Sequence, residues 1–239
     1  MGFMYWQIND IWQAPTWATI EYGLKWKMGH YYVQRMFEPV YLVPILTPYL
    51  ASVTDENARI SLYLINELLD GTSGRTMCSF LSLDTFAVRS SVAYDISISA
   101  PDVKHIVDLP YATVMKSAGC SNTSQCLVHC TYNSTQDDIG HTLFLTQPKN
   151  YQLYQPNLRI ENVQQVSSTE VSITITATRP ALFVWLDVPI STSGYFSRNG
   201  FHMFEARRTV SFHSWSSMSD AVIDNLNVTI RSLFDVTQA

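Results

Sequence analysis

From Val40 onward the apolar residues recur at every second position, in runs too short for helices and separated by turn formers. The clearest is VSITITATR, where Val171, Ile173 and Ile175 alternate with Ser172, Thr174 and Thr176. Period two sends one set of side chains to a buried face and the other to water, the mark of a half-buried antiparallel strand. ISLYLI (60–65), CSFLSLDTFAV (78–88), YDISISA (94–100), LVHCTY (127–132) and HTLFLT (141–146) precede it. ALFVWLDV (181–188), FHMFEA (201–206), TVSFHSW (209–215) and NVTIRSLF (227–234) follow. Asn199-Gly200, between YFSR and FHMF, predicts a two-residue hairpin. Strands at this spacing with no helix between them predict two antiparallel β-sandwiches in tandem. The polar, proline-bearing stretch TQPKNYQLYQP (146–156) is the expected boundary.

The first 37 residues do not fit that pattern. Trp6, Trp12, Trp17 and Trp26 are four of the six tryptophans, in a place where chains are normally polar and frayed. GFMYWQI is an apolar run bounded by Gly2 and Asn9-Asp10, which predicts a fully buried strand. IWQAPTW reads as an aromatic loop. LKWKMGHYYVQRMF (24–37) has near-helical spacing, and Pro39 ends it. Strand, loop and helix make one βα unit, and a buried parallel strand needs neighbours that the rest of the chain does not supply.

Composition narrows the classes. Apolar residues make up 46% and charged residues 15% of 239, which excludes a disordered chain. Mean hydropathy is +0.01. Net charge is −5 and the 15 Lys and Arg are scattered, so no basic stripe marks a nucleic-acid partner. Arg207-Arg208 reads as a solvated strand edge or loop. No 18-residue apolar window predicts a membrane span. Neither is the opening a signal peptide: it lacks a Lys/Arg n-region, and Asn9-Asp10 interrupts its apolar run.

Three sequons, at Asn122, Asn133 and Asn227, nevertheless point to the secretory pathway. So do the cysteines. Cys120, Cys126 and Cys130 cluster in GCSNTSQCLVHC, with Cys78 upstream. The expected arrangement is a disulfide closing the loop between Cys120 and Cys126. The alternative is zinc with His129 as a fourth ligand, although the paired C-x2-C spacing is missing.

No G-x-S-x-G, P-loop, H-E-x-x-H or GxGxxG occurs, so nucleophile-elbow, nucleotide and zincin chemistry have no support. His202 and His213 lie in predicted strands and read as structural. The opening retains one chemical possibility. Trp6 would end its strand, with Asn9, Asp10 and Trp12 just beyond, at the end of a barrel strand where active-site groups gather. An indole face packs on the C–H face of a sugar, while Asn and Asp bind hydroxyls. The competing reading is a core Trp beside a turn-forming pair.

These residues carry a resemblance. YWQ-x-ND-x-W, followed by TW, an E-Y pair and KWK-x-x-HY, resembles the final strand, loop and helix of the (β/α)8 barrel in family 2 β-mannosidases of the animal lysosomal type. ALFVWLDV, YFSRNGFHMFE and RRTVSF resemble the last Ig-like domain of the same family. The middle of the chain matches mainly in its strand pattern and its cysteine-and-sequon loop.

The resemblance implies a mainly β chain of three parts: a barrel βα unit over 1–37, an Ig-like sandwich over 38–150 and a C-terminal Ig-like domain over 151–239. It implies a retaining exo-glycosidase acting on terminal β-mannose of oligosaccharides, without cofactor or metal, in the lysosome or secretory pathway. Trp6, Asn9 and Asp10 would line the mannose subsite, and Trp12 and Trp17 would shape the rim. Both catalytic Glu residues would lie on earlier barrel strands, in N-terminal domains this chain lacks, so the chain alone is expected to be inactive. Asn66-Glu67 has the form of an acid/base pair but sits in a strand-to-turn segment, and is read as a decoy. The rival readings are a non-catalytic, secreted Ig-like carbohydrate- or protein-binding module, and a tandem Ig adhesion protein. The second lacks a Cys pair bracketing a Trp.

Overall fold

The computed structural model describes residues 4–134, 138–189, 191–219, 223 and 226–237. It is mainly β, its strands pair antiparallel, and it divides into two compact units. One is Glu38–Leu153; the other joins the residues up to Phe37 with those from Tyr154 onward.

In the first unit β1 (Val40–Thr47), β2 (Arg59–Asn66) and β5 (Asp102–Pro110) form one sheet in the order β1-β2-β5. β3 (Thr72–Ser82), β4 (Val88–Ile98), β6 (Cys126–Ser134) and β7 (Asp138–Leu143) form another, in the order β4-β3-β6-β7. Alternation makes each sheet one-sided. Ile60, Leu62 and Leu64 of β2 share a core with Phe80, Val128 and Tyr132 of the other sheet. Pro44 is tolerated because β1 is an edge strand. The run 78–88 is not one strand: β3 stops at Ser82, whose hydroxyl donates to Asp84 at 2.6 Å, and Arg89 closes the turn on the same carboxylate. A short helix, α2 (Tyr111–Ser117), also lies between β5 and β6, where none was expected.

All four cysteines are bonded. Cys120–Cys126 forms as expected, and Cys78–Cys130 joins directly opposed residues of β3 and β6. This overturns the zinc alternative, and the Nδ1 atom of His129 faces the Thr142 hydroxyl at 3.0 Å. Asn66 is fully buried, its amide donating to the carbonyls of Asp70 and Ser99, so the Asn66-Glu67 pair is a turn device.

In the second unit β8 (Arg159–Ser167), β9 (Glu170–Thr176), β11 (Gly194–Phe196) and β13 (Arg207–Ser214) form a sheet in the order β11-β13-β9-β8. β10 (Ala181–Asp187), β12 (Phe201–Met203) and β14 (Thr229–Arg231) form the other, in the order β12-β10-β14. Val171, Ile173 and Ile175 of β9 have no exposed surface, as their alternation predicts.

The Asn199-Gly200 hairpin is not formed. β11 pairs with β13 and β12 with β10, so this pair carries the chain from one sheet to the other. The cause is the Asn199 side chain, which is buried, donates to the Leu186 carbonyl and accepts from the Leu186 N–H, both at 2.8 Å. Gly200 follows at φ +63, the left-handed region glycine enters at no steric cost. The run 227–234 is strand only over β14. Ser232 then opens α3 (Leu233–Thr237), donating its backbone N–H to the Asp235 carboxylate at 2.7 Å.

His202 and His213 serve the fold. The Nδ1 atom of His202 accepts from the Phe183 N–H at 3.1 Å, where β10 is irregular, and His213 lies against Tyr195. Arg207 pairs with Glu161 at 2.7 Å, while Arg208 pairs with Glu205 and lies over Phe201.

Candidate functional site

The opening residues take a different local form from the buried strand their composition predicts. Residues 4–8 make no regular strand. A single parallel bridge joins Asn9 to Ile20, and an antiparallel one joins Ile20 to Trp26. The hydrogen bonds of this region go into closing a loop: Ile20 N–H to Ile8 at 2.8 Å and Asp10 N–H to Ile20 at 2.9 Å. The helix, α1, spans Met28–Met36 rather than 24–37. Leu24 at φ +62 and the Trp26 bridge hold the residues before it out of helical geometry.

Asp10 is the pin of the loop. It is buried, and it accepts from the Thr16 hydroxyl and from the Lys27 ammonium at 3.2 Å. Thr16 in turn accepts from the Ala18 N–H at 3.0 Å. The Thr16 hydrogen bond, with that of Lys27 and its positive charge behind it, outweighs burial and holds the Asp10 carboxyl below the usual carboxylate range. A depressed native value means that the loop's stabilisation by Asp10 is complete at neutral pH. It is expected to fade as pH falls through the ordinary carboxylate range toward that lower value. The Thr16 amide and Trp indole NMR signals should report this fading, and Asp10→Asn should abolish it. An acid-insensitive loop in the native chain would contradict the assignment.

Around this pin the sequence-predicted residues are arranged unevenly. Trp6 is 74% exposed, Trp12 66% and Trp17 74%. Asn9 is exposed, with its amide donating to the Asp10 carbonyl at 3.2 Å. The Trp6–Gln7 peptide is cis. Trp6 and Asn9 therefore present surface, whereas the Asp10 carboxylate is engaged inside the loop. Trp26 departs from the others: it stacks on Tyr195 with centroids 4.7 Å apart and meets Tyr31 edge-on.

Tyr31 and Tyr32 are legible in the sequence as helix-spaced residues, but their anchoring role is not. The Tyr31 hydroxyl accepts from the Phe196 N–H at 3.0 Å, and Tyr32 donates to the Gly200 carbonyl at 2.8 Å. Burial pushes both phenols up to about 12. Lys25 pairs with Asp187 of β10 at 2.5 Å. Their signal was present in KWK-x-x-HYY, but a tyrosine that packs a helix and one that caps a distant strand have the same letter.

Asn122 and Asn227 are exposed, while the Asn133 side chain lies outside the described residues. Among the described residues no cluster of His, Cys, Asp or Glu could hold a metal, and no helix is long and apolar enough to cross a membrane.

Comparison with known proteins adds the missing context. The Ig-fold domain of mannosidases matches residues 153–236. The β-mannosidase of Capra hircus is 33% identical over 233 residues, which is 94% of this chain and 25% of that protein. The chain is related to the β-mannosidases. It spans about a quarter of the length of the curated relatives it matches. Two solved structures share its fold. A β-D-mannosidase from Dictyoglomus thermophilum superposes with a TM-score of 0.71 at 16% identity, over 95% of this chain and 25% of that one. An exo-chitosanase from Amycolatopsis orientalis gives 0.63 at 14% identity, over 97% and 30%.

Proposed function

We propose that this chain is the C-terminal part of a retaining exo-β-mannosidase that releases terminal, non-reducing β-D-mannose from oligosaccharides. The supporting observation is that similarity to the β-mannosidase of Rattus norvegicus, at 30% identity, covers 99% of the chain, the aromatic opening as well as the Ig-fold domain. In this reading residues 1–37 end the catalytic barrel, 38–150 form one Ig-like sandwich and 151–239 another. Trp6 is the apolar platform beneath the sugar ring, Asn9 offers its amide to a hydroxyl, and Asp10 lines the subsite from inside the loop.

The chemistry would be double displacement. One Glu protonates the leaving oxygen while a second attacks the anomeric carbon, and water then releases mannose from the glycosyl ester. Both Glu belong to the preceding part of the barrel, so this chain contributes position rather than proton transfer. Two disulfides and exposed Asn122 and Asn227 support passage through an oxidising, glycosylating compartment such as the lysosomal route.

Two measurements test the reading. Purified chain should not turn over an aryl β-mannoside; sustained turnover would refute the division of labour. Grafted in place of the matching quarter of the Capra hircus enzyme, the chain should support turnover. Trp6→Ala in that graft should lower kcat/KM by about 10- to 100-fold, the loss of one buried aromatic contact. A secreted binding module is the second reading, favoured by the opening's own anchorage on Tyr195, Phe196 and Gly200. A graft that folds but is inactive would favour it.

A further inference from the structure

Thr19 is where the aromatic loop meets the start of α1. On the loop side, the Ile8 carbonyl accepts from the Ile20 N–H at 2.8 Å and from the Thr19 hydroxyl at 3.0 Å. On the helix side, the Thr19 carbonyl accepts from the Lys27 N–H at 2.9 Å, and the Thr19 hydroxyl oxygen lies 3.0 Å from Nδ1 of His30. A hydroxyl has one hydrogen to give. Here it goes to Ile8, so the contact with His30 is a hydrogen bond only if Nδ1 carries the imidazole hydrogen and donates it to the Thr19 oxygen. Burial holds the pKa of His30 below its ordinary value, which keeps the ring neutral at pH 7 and leaves one tautomer to choose.

The ring that makes this donation is itself fixed. It meets Trp26 edge to face with centroids 4.5 Å apart, and Trp26 stacks on Tyr195 of β11 at 4.7 Å. The next two residues, Tyr31 and Tyr32, bond to Phe196 and Gly200, so His30 stands on the turn of α1 that the Ig-fold domain holds. All of these residues belong to one compact unit. At the far end of the series, Ile8 follows Trp6 by two residues and precedes Asn9. No regular strand stiffens residues 4–8, so the bonds at Ile8 are what fix the backbone between Trp6 and Asn9.

We propose that His30 is a positioning residue for the sugar platform: through Thr19 it ties the backbone between Trp6 and Asn9 to a helix anchored on the Ig-fold domain. The sugar role rests on the glycosidase reading above; the hydrogen-bonded link rests on the geometry alone. His30 acts only through Trp6 and Asn9, so its loss weakens the grip on the sugar and leaves proton transfer to other groups.

Two measurements test this. In the 15N-labelled chain, long-range imidazole correlation spectra should place the His30 hydrogen on Nδ1 and show Nε2 bare. A hydrogen on Nε2 instead would overturn the link. In the Capra hircus graft, His30→Phe keeps a ring edge against Trp26 but cannot donate. It should lower kcat/KM about tenfold, mostly as a higher KM, which a smaller folded fraction would not produce. Thr19→Val should do the same, and the double variant should be no worse than either single one, because both cut the same link. His30→Asn, whose amide N–H can reach the Thr19 oxygen, should recover to within about threefold of the native graft. An unchanged KM in His30→Phe, an Asn variant as poor as the Phe variant, or losses that multiply in the double variant would overturn the proposal, while turnover by the native graft keeps the glycosidase reading standing. An inactive native graft would overturn that reading and the sugar role with it.

Discussion

Replacing Cys78 and Cys130 together by alanine is expected to lower the stability of the unit Glu38–Leu153 by about 4 kcal/mol. The bond closes 52 residues of chain, and the entropy it removes from the unfolded state grows with the logarithm of that length. Cys120–Cys126 closes only 6, which the same relation values at about 2 kcal/mol. The two bonds differ in setting as well. Cys78 and Cys130 lie in the shared core on neighbouring central strands, where Phe80 and Val128 pack beside them. Urea unfolding of the paired variants, with hydrogen exchange to locate the loss, would check the ranking. Faster exchange should appear first along β3 and β6 for the Cys78/Cys130 variant. A larger loss from removing Cys120–Cys126 would contradict this account.

Gly194→Ala is expected to cost more than about 3 kcal/mol, at the upper end for a single methyl group. A β-carbon at Gly194 would stand 2.2 Å from the backbone carbonyl oxygen of His213 and 2.6 Å from the Phe212 ring. Neither can yield cheaply, because the carbonyl belongs to β13, the strand that holds β11. Displacement of β11 would move Tyr195 and Phe196 too, on which Trp26 and Tyr31 rest. The variant should therefore lose thermal stability and also alter Trp26 fluorescence. Gly23→Ala is the control: no atom lies within 4 Å of its added carbon, so its effect should stay within about 0.5 kcal/mol.

The β pattern was legible because alternation reports a one-sided sheet directly. β9 reads off its letters, since Val171, Ile173 and Ile175 have no other way to be buried together. Asn199-Gly200 misled for a physical reason. The letters specify a left-handed turn, which forms, but not which strands it joins; the buried Asn199 amide decided that by bonding to Leu186. The end of the chain misled similarly, because one Asp235 carboxylate converts an alternating run into a helix start. At the candidate site, Trp6 and Asn9 are named by the resemblance that YWQ-x-ND-x-W carries, since spacing alone leaves a core Trp beside a turn equally open. The engaged state of Asp10 could not be read, since it depends on Thr16 and Lys27 arriving from two later turns.

The anchorage of the opening on β11 and Gly200 also sets an order of events during synthesis. Glu38–Leu153 is contiguous and can fold as it leaves the ribosome, whereas the other unit is discontinuous. Its first part emerges early with Trp26, Tyr31 and Tyr32 unmet, and their resting surface comes only after the intervening unit has been made. Until then these aromatics are exposed, the state in which nascent chains aggregate or recruit chaperones. A premature stop before β11 would make that interval permanent. Such truncations should therefore be lost to quality control, even though the aromatic loop itself has been completely translated.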